Sequence, residues 1–185
     1  MKLKIFNFKR VNSTNDVAIR MIKNSKSKLG MIVSETQKKG RGNHGKKWIS
    51  CKGNLFVSIF FCIDRINLSI KQLTKINCFL IKRLISIYYK NYISIKYPND
   101  LLINKKKVSG ILQETLKKKN STYIIVGIGI NLVKSPKIRN YKTTNLADIT
   151  KIKINKKRII YDLKSIYENF IPLFFKKNVK SIISI

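Results

Sequence analysis

The densest set of groups able to do chemistry lies in residues 37–48, Gln-Lys-Lys-Gly-Arg-Gly-Asn-His-Gly-Lys-Lys-Trp. Three glycines (Gly40, Gly42, Gly45) are interleaved with five cations (Lys38, Lys39, Arg41, Lys46, Lys47), and no acid occurs between Glu35 and Asp64. Glycine permits φ > 0 and close approach of backbone amides to a bound group. Successive N–H groups in such a loop can form an anion-binding nest, to which the cations add positive potential. A solvated, flexible basic loop has the same composition. The stretch by itself leaves both readings open.

The rest of the chain must position this loop. Residues 3–8 alternate weakly and predict a first strand. Ser13-Thr-Asn-Asp16 fits a capping box, an N-cap serine with an acid three residues on, and predicts a helix to about residue 23. Residues 31–36 predict a buried strand that runs straight into the basic loop, and residues 54–61, rich in aromatic and branched side chains, predict another. Leu73, Ile76, Leu80, Leu84 and Ile87 recur at helical spacing, giving an amphipathic helix over roughly 68–90. A short strand at 93–96 breaks at Tyr97-Pro98, since proline holds the preceding residue extended. Residues 101–103 and 107–112 read as a hairpin joined through Asn104-Lys105, 122–131 as a strand, and about 155–176 as a last helix. Strands and helices alternate, with hairpins among them. The expected fold is α+β, a mixed β-sheet covered by helices, with residues 1–185 as a single domain.

Composition narrows the partners less than it first suggests. The net charge is +32 and the pI near 10.3, values that ordinarily point to nucleic acid. Lys supplies nearly all of this charge, spread along the whole chain together with an excess of Ile and Asn. A+T-rich codons would produce that joint excess, so compositional drift is a sufficient cause. Cys51, Cys62 and Cys78 have no Cys-x-x-Cys spacing, so neither a disulfide framework nor a zinc site follows, and buried free thiols are expected. His44 is the only histidine, which leaves a His-rich metal site or a Ser–His–Asp triad unsupported. The N-terminal residues lack a signal-peptide core, and the longest uncharged run, 120–133, is too short to span a bilayer. A soluble, cytoplasmic protein with no membrane partner is expected.

Six motifs occur in register: Ser13-Thr-Asn, Gln37-x-x-Gly-Arg-Gly with Trp48-x-Ser50, Gly53-Asn-Leu, Lys96-Tyr-Pro-Asn-Asp100, Lys107-Val-Ser-Gly-Ile-Leu-Gln-Glu114 and Gly127-Ile-Gly-Ile-Asn131. This order resembles biotin–protein ligase over about residues 10–150. The resemblance implies two steps: the biotin carboxylate attacks the α-phosphate of ATP to give biotinyl-5′-AMP, and a carrier lysine then attacks that anhydride. It implies Mg²⁺ with the ATP and, as acceptor, the biotin carboxyl carrier protein of acetyl-CoA carboxylase.

Carried onto this chain, the resemblance puts Ser13, Thr14, Asn15 and Gln37 around the ureido ring, whose N–H and C=O groups need neutral donors and acceptors. Gly127 and Gly129 are alternate residues of one strand and leave bare backbone on one face for flat rings. Gly40, Arg41, Gly42, Asn43, Lys107 and Gly110 complete the biotin site. Arg41 holds the biotin carboxylate and the phosphate. Lys107 is the main catalytic residue: a fixed ammonium where carboxylate meets phosphate stabilises the charge of the transition state. Taken alone, Lys107 is one of three lysines in an exposed turn, and Pro98-Asn99-Asp100 is ordinary turn chemistry. Lys46, Trp48, Asn99, Asp100 and Asn131 are assigned to the nucleotide, Trp48 by stacking on adenine, with Asp100 the one candidate ligand for Mg²⁺.

Two substitutions depart from the family pattern. Asn43 stands where the loop usually has a second arginine, which predicts weaker retention of the adenylate, and Tyr97 replaces a usual tryptophan. Only twelve residues precede Ser13, so no helix-turn-helix and no specific DNA binding are expected, and the small C-terminal β-barrel of relatives is expected to be absent. Homodimerisation is left open. The rival readings are a lipoate or octanoyl transferase of the same fold, a decayed biotin-binding remnant, and a basic nucleic-acid-binding module.

Overall fold

Residues 55–62 are apolar at nearly every position and buried on both sides, the pattern of a central strand covered on two faces. The computed structural model describes residues 1–24, 27–64, 66 and 68–175. Its elements are β1 (Ile5–Val11), α1 (Thr14–Asn24), β2 (Leu29–Gln37), β3 (Leu55–Cys62), α2 (Ile70–Tyr88), β4 (Ser94–Lys96), β5 (Asp100–Ile103), β6 (Lys106–Lys118), β7 (Ser121–Ile130), α3 (Leu146–Thr150) and α4 (Lys156–Phe174). The strands form one seven-stranded sheet in the order β1-β2-β3-β7-β6-β5-β4. β1 and β2 pair in parallel and all other neighbours are antiparallel. This is the expected mixed sheet with helices on it.

The two faces are used differently. Met31, Val33, Val57, Ile59, Val126 and Ile128 face α2 and α4 and belong to the main core with Leu73, Leu84, Leu163 and Tyr167. On the other face Ile32, Phe60, Tyr123 and Ile125 pack against Val17, Ala18 and Ile22 of α1. The same alternation carries that face of β7 on to Gly127 and Gly129, opposite Leu112 and Gly110 of β6. There the first turn of α1 meets the sheet, and Gly110, Gly127 and Gly129 offer only backbone to this face.

Local signals explain the boundaries. Ser69 and Gln72 close a capping box on α2 that the sequence reading passed over. Leu73, Ile76, Leu80 and Leu84 are buried as their spacing predicts, but Ile87 is 47% exposed, and Ile85 takes the inward position in the last turn. Asn104 (φ 49°) and Lys105 (φ 60°) make the two-residue hairpin turn. β6 runs to Lys118, beyond the expected end at 112, because the ladder to β7 continues as far as Lys118 opposite Ser121. Charged residues on its outer half mask that extension. α3 gave no periodic signal, being five residues long. The last residue of the helix expected to end at 176 lies outside the described residues.

Cys78 alone is the buried thiol that was expected; Cys51 and Cys62 are partly exposed, and all three are free. Burial pushes the Cys78 thiol up to about 12, with a further push from the nearby Asp100 carboxylate. Among the described residues no helix is long and apolar enough to cross a membrane.

Candidate active site

One wall of the bare patch is a neutral polar network at the start of α1. The Thr14 N–H and hydroxyl both donate to Gln37 Oε1, at 2.8 and 3.1 Å. Gln37, the last residue of β2, thereby satisfies an amide that the first turn of a helix leaves open. Its own Nε2 donates to Ser50 Oγ at 3.2 Å. Beneath lies Ser58 of β3, wholly buried, whose hydroxyl is 2.8 Å from Thr14 Oγ1 and also within bonding distance of Asn15 Oδ1. One hydroxyl proton serves one of these at a time. Asn15 Nδ2 donates to Glu114 Oε2 at 2.6 Å and to the Leu112 carbonyl at 3.3 Å. Ser58 was missed, although a lone hydroxyl in an apolar strand was a visible signal.

The acid of the expected capping box has another partner. Asp16 Oδ1 lies 2.8 Å from Arg41 Nη2. Arg41 also forms a two-pronged pair with Glu114, Nη1 to Oε1 at 2.9 Å and Nη2 to Oε2 at 2.8 Å. Arg41 was expected to hold a ligand carboxylate and phosphate; here two protein carboxylates take the guanidinium.

The basic loop is a small hairpin rather than an open nest. The Gly42 N–H donates to Lys46 O at 2.6 Å, the Lys46 N–H to Asn43 O at 3.1 Å and the Trp48 N–H to Gly40 O at 2.9 Å. Those amides are therefore spent within the hairpin. Its tip is a 3₁₀ turn over Asn43–Gly45, with His44 (φ 54°) and Gly45 (φ 72°) in the left-handed region. Gly40 is buried under the returning strand, where an added Cβ would stand 2.5 Å from Trp48 O.

Lys107 reaches the cleft because β6 carries an extra residue. Leu101 pairs with Ser109 and Leu102 with Lys107, leaving Val108 unmatched. Such a bulge reverses the side-chain alternation: Val108 enters the main core and Lys107 turns to the cleft. Its Nζ lies 2.7 Å from Asp100 Oδ1, an oxygen without an aligned hydrogen bond, so the pair is held by charge. The ammonium also stands 5.3 Å from the Trp48 ring and 5.2 Å from the Tyr141 ring. Burial, and then the Asp100 charge, raise the Tyr141 phenol.

The glycine patch is filled from within. A Cβ on Gly129 would collide with the Trp48 indole, one on Gly110 would stand 2.7 Å from it, and one on Gly127 would collide with the Asn15 amide. The face expected to receive flat rings is thus covered by Trp48 and Asn15, and the Trp48 Nε1 is buried without a partner. Trp48, expected to stack on adenine, lies over Gly110 and Gly129, two of the glycines expected to serve biotin.

All the predicted site residues except Gly40 and Asn131 line one cleft of about 300 Å³, the lower end of the range for small-molecule sites. Asn131 lies behind it, 1% exposed, and its amide is engaged internally: Nδ2 donates to Thr144 O at 3.0 Å and Oδ1 accepts from Asn54 at 3.3 Å. Asn99 Nδ2 is likewise bound to Ile111 O at 2.7 Å. Lys46 stands exposed at the rim. Tyr141 and Lys142, which no sequence signal marked, reach the cleft because the strip around Thr143 pairs with Lys107. Among the described residues no three His, Cys, Asp or Glu side chains cluster. Asp100 is the carboxylate beside Lys107, and one hard carboxylate fits a Mg²⁺ that arrives on nucleotide phosphates.

Residues 7–131 match the Biotin/lipoate A/B protein ligase family, and the chain belongs to it. It is 31% identical over 124 residues to the bifunctional ligase/repressor BirA of Escherichia coli, covering 66% of this chain and 38% of that protein. It is 28% identical over 130 residues to the biotin–[acetyl-CoA-carboxylase] ligase of Paracoccus denitrificans, covering 69% and 54%. The chain thus spans well under two thirds of both relatives. The biotin protein ligase of Aquifex aeolicus, solved in complex with biotin and ATP, superposes with a TM-score of 0.81 at 27% identity, covering 97% of this chain and 76% of that one.

Proposed function

We propose that this chain is an ATP-dependent biotin–protein ligase that activates biotin as biotinyl-5′-AMP. It then transfers the biotinyl group to a lysine of the biotin carboxyl carrier protein of an acetyl-CoA carboxylase. The observation that carries the reading is Lys107, turned into the cleft by the bulge at Val108 and held 2.7 Å from Asp100. Family membership and the biotin-ligase names of the relatives support it, and acetyl-CoA carboxylase enters through the name of the Paracoccus relative.

In the first step a biotin carboxylate oxygen bonds to the α-phosphorus of ATP and pyrophosphate leaves. Two anions must meet, and Lys107 supplies positive charge that is already in place, so little reorganisation is needed as charge develops. Thr14, Asn15, Gln37 and Ser58 form the neutral wall suited to a ureido ring, their own bonds fixing donors and acceptors beforehand. Mg²⁺, held in part by Asp100, would offset phosphate charge. In the second step the carrier lysine, as the free amine, attacks the acyl carbon and AMP leaves. Arg41 must exchange one of its carboxylates for a ligand anion if it is to act on either.

The test is transfer of labelled biotin to a purified carrier domain with Mg·ATP, comparing wild type with Lys107→Ala. ATP-dependent transfer that collapses in the variant is the expected result. Biotin binding without transfer would favour a remnant, and lipoate in place of biotin as the transferred group would favour the family's other branch.

A further inference from the structure

Gly53-Asn-Leu is a motif for which the reaction has so far given no use. Gly53 has φ +95°, and a Cβ there would stand 2.5 Å from Val133 Cγ2, so only glycine lets the 51–54 turn approach the segment after β7. The turn closes with the Asn54 N–H on Cys51 O at 3.1 Å. Asn54, wholly buried, then takes hold of that segment. Its Oδ1 accepts the N–H groups of Leu132, Val133 and Lys134, each at 3.1 Å. Its Nδ2 donates to Lys134 O at 2.8 Å and to Asn131 Oδ1 at 3.3 Å.

The second of those Nδ2 bonds fixes which way round the Asn131 amide stands. With Oδ1 held by Asn54, Asn131 Nδ2 must face Thr144 O (3.0 Å) and Lys107 O (3.5 Å). Asn131 also joins this region through its backbone, its N–H on Val108 O at 2.8 Å and its carbonyl accepting from Leu146 at 3.0 Å. Lys107 is flanked in turn by the strip 142–144: its N–H donates to Lys142 O and its carbonyl accepts from Thr144, both at 2.9 Å. A reversed Asn131 amide would turn an oxygen towards two carbonyl oxygens and push this strip, with Tyr141, away from the bulge.

We propose that Asn54 is a positioning residue for adenylate formation, acting through Asn131 on the Lys107 bulge and its Tyr141–Trp48 surround. The proposal rests on the ligase reading above. It separates two duties of one side chain. Oδ1, with the Nδ2 bond to Lys134 O, holds the 132–134 turn, a structural duty, whereas the second Nδ2 bond orients Asn131 and through it the catalytic lysine.

Asn54→Asp divides these duties. It keeps an acceptor for three amides, which themselves favour a carboxylate, but loses the donor to Asn131 and, on the turn, the single bond to Lys134 O, whose cost the unfolding midpoint reads. Asn54→Ala loses both. Trp48 is the sole tryptophan, so its emission and its quenching by acrylamide report the Lys107 surround without any ligand. The experiment compares both variants with wild type for thermal unfolding, Trp48 quenching, biotin affinity by calorimetry, and the pyrophosphate burst with biotin and Mg·ATP. Asn54→Asp is expected to fold and bind biotin within about twofold of wild type, with altered Trp48 quenching and a burst slowed about 10- to 100-fold, as a small misplacement of a catalytic group gives. Wild-type quenching and burst rate in Asn54→Asp would overturn the proposal, as would biotin affinity falling in step with the rate. A wild-type chain that gives no burst sinks the ligase reading itself and this inference with it, whereas an active wild type with unaffected variants sinks the inference alone.

Discussion

Of the cations that line the cleft, Arg41 and Lys107 are paired with protein carboxylates, and the chain holds them by opposite means. Lys107 belongs to the sheet. A bulge aims it, one carboxylate faces it, two rings enclose it, and its side chain is 14% exposed. Arg41 belongs to a loop, is 40% exposed on its side chain, and is tied to two carboxylates from different elements, Asp16 of α1 and Glu114 of β6. Removing a sheet residue's aim would take a change of register, whereas an ion pair half in water contributes only about 0–1 kcal/mol. Lys107 is thus fixed ahead of any ligand. Arg41 is a fastening that a ligand anion can compete for, and its release would free the loop.

The largest expected effect breaks the fixed side. Lys107→Ala should slow biotinyl-AMP formation about 100- to 1,000-fold, a larger loss than in biotin affinity, because its charge is needed most where carboxylate meets phosphate, and should lower the unfolding midpoint by leaving Asp100 without its partner. Pyrophosphate release in single turnover measures this. A variant within a few-fold of wild type would remove Lys107 from the chemistry.

Gly129→Val attacks the roof of the same side and leaves Arg41 untouched. The new Cβ collides with the Trp48 indole, and an overpacked contact of this kind costs about 1–3 kcal/mol. Trp48 should swing outward, shifting its emission to the red and lowering the melting temperature. Unchanged emission would mean that the indole does not lie on β7.

The contrast also marks what could be read from the chain. Gly127 and Gly129 were legible because strand alternation puts both on one face, whereas Ser13-Thr-Asn and Gln37 were marked by the family resemblance and not by their own spacing; the structure brings them all into one cleft. The bulge was not legible. Residues 107–112 keep a strand-like pattern with or without one extra residue, and only the pairing of Leu101 and Leu102 across the hairpin reveals it. Asp16 looked like a helix cap because local spacing says nothing of Arg41, 25 positions away. Tyr141, and the contacts Asn54 makes from within its motif, were hidden for the same reason: their partners come from chain segments far off in sequence, and neither stretch is periodic.

On the loop side, Glu114→Gln should leave the fold stable to within about 1 kcal/mol yet raise the rate at which trypsin cuts among Lys38, Lys39, Lys46 and Lys47. The Arg41–Glu114 pair would keep a hydrogen bond but lose a charge. High salt should move wild type in the same direction, since partly exposed pairs are screened within about 10 Å or less, and should move Lys107→Ala no differently. Equal trypsin sensitivity in wild type and Glu114→Gln would show that Arg41 does not fasten the loop.

The smallest effect should come from Asn43→Arg, and the comparison gives it a sign. Asp16 and Glu114 both bond the single guanidinium of Arg41, so each carboxylate has acceptor capacity left for a second donor. Asn43 stands half-buried in the 3₁₀ turn that lines the cleft beside it. A second guanidinium there would share these carboxylates with Arg41 while the loop is closed and add a charge-assisted contact to a bound phosphate. Both effects keep the loop down over the adenylate, so dissociation of biotinyl-AMP should slow by about two- to tenfold, about one such bond at a partly exposed site. The rate of adenylate formation, set at Lys107, should hardly change. Trapping released biotinyl-AMP with an excess of a free amine measures the first, and the pyrophosphate burst the second. A slower burst with unchanged release would reverse the assignment of the two cations, making the loop end rather than the sheet end the place where the reaction is limited.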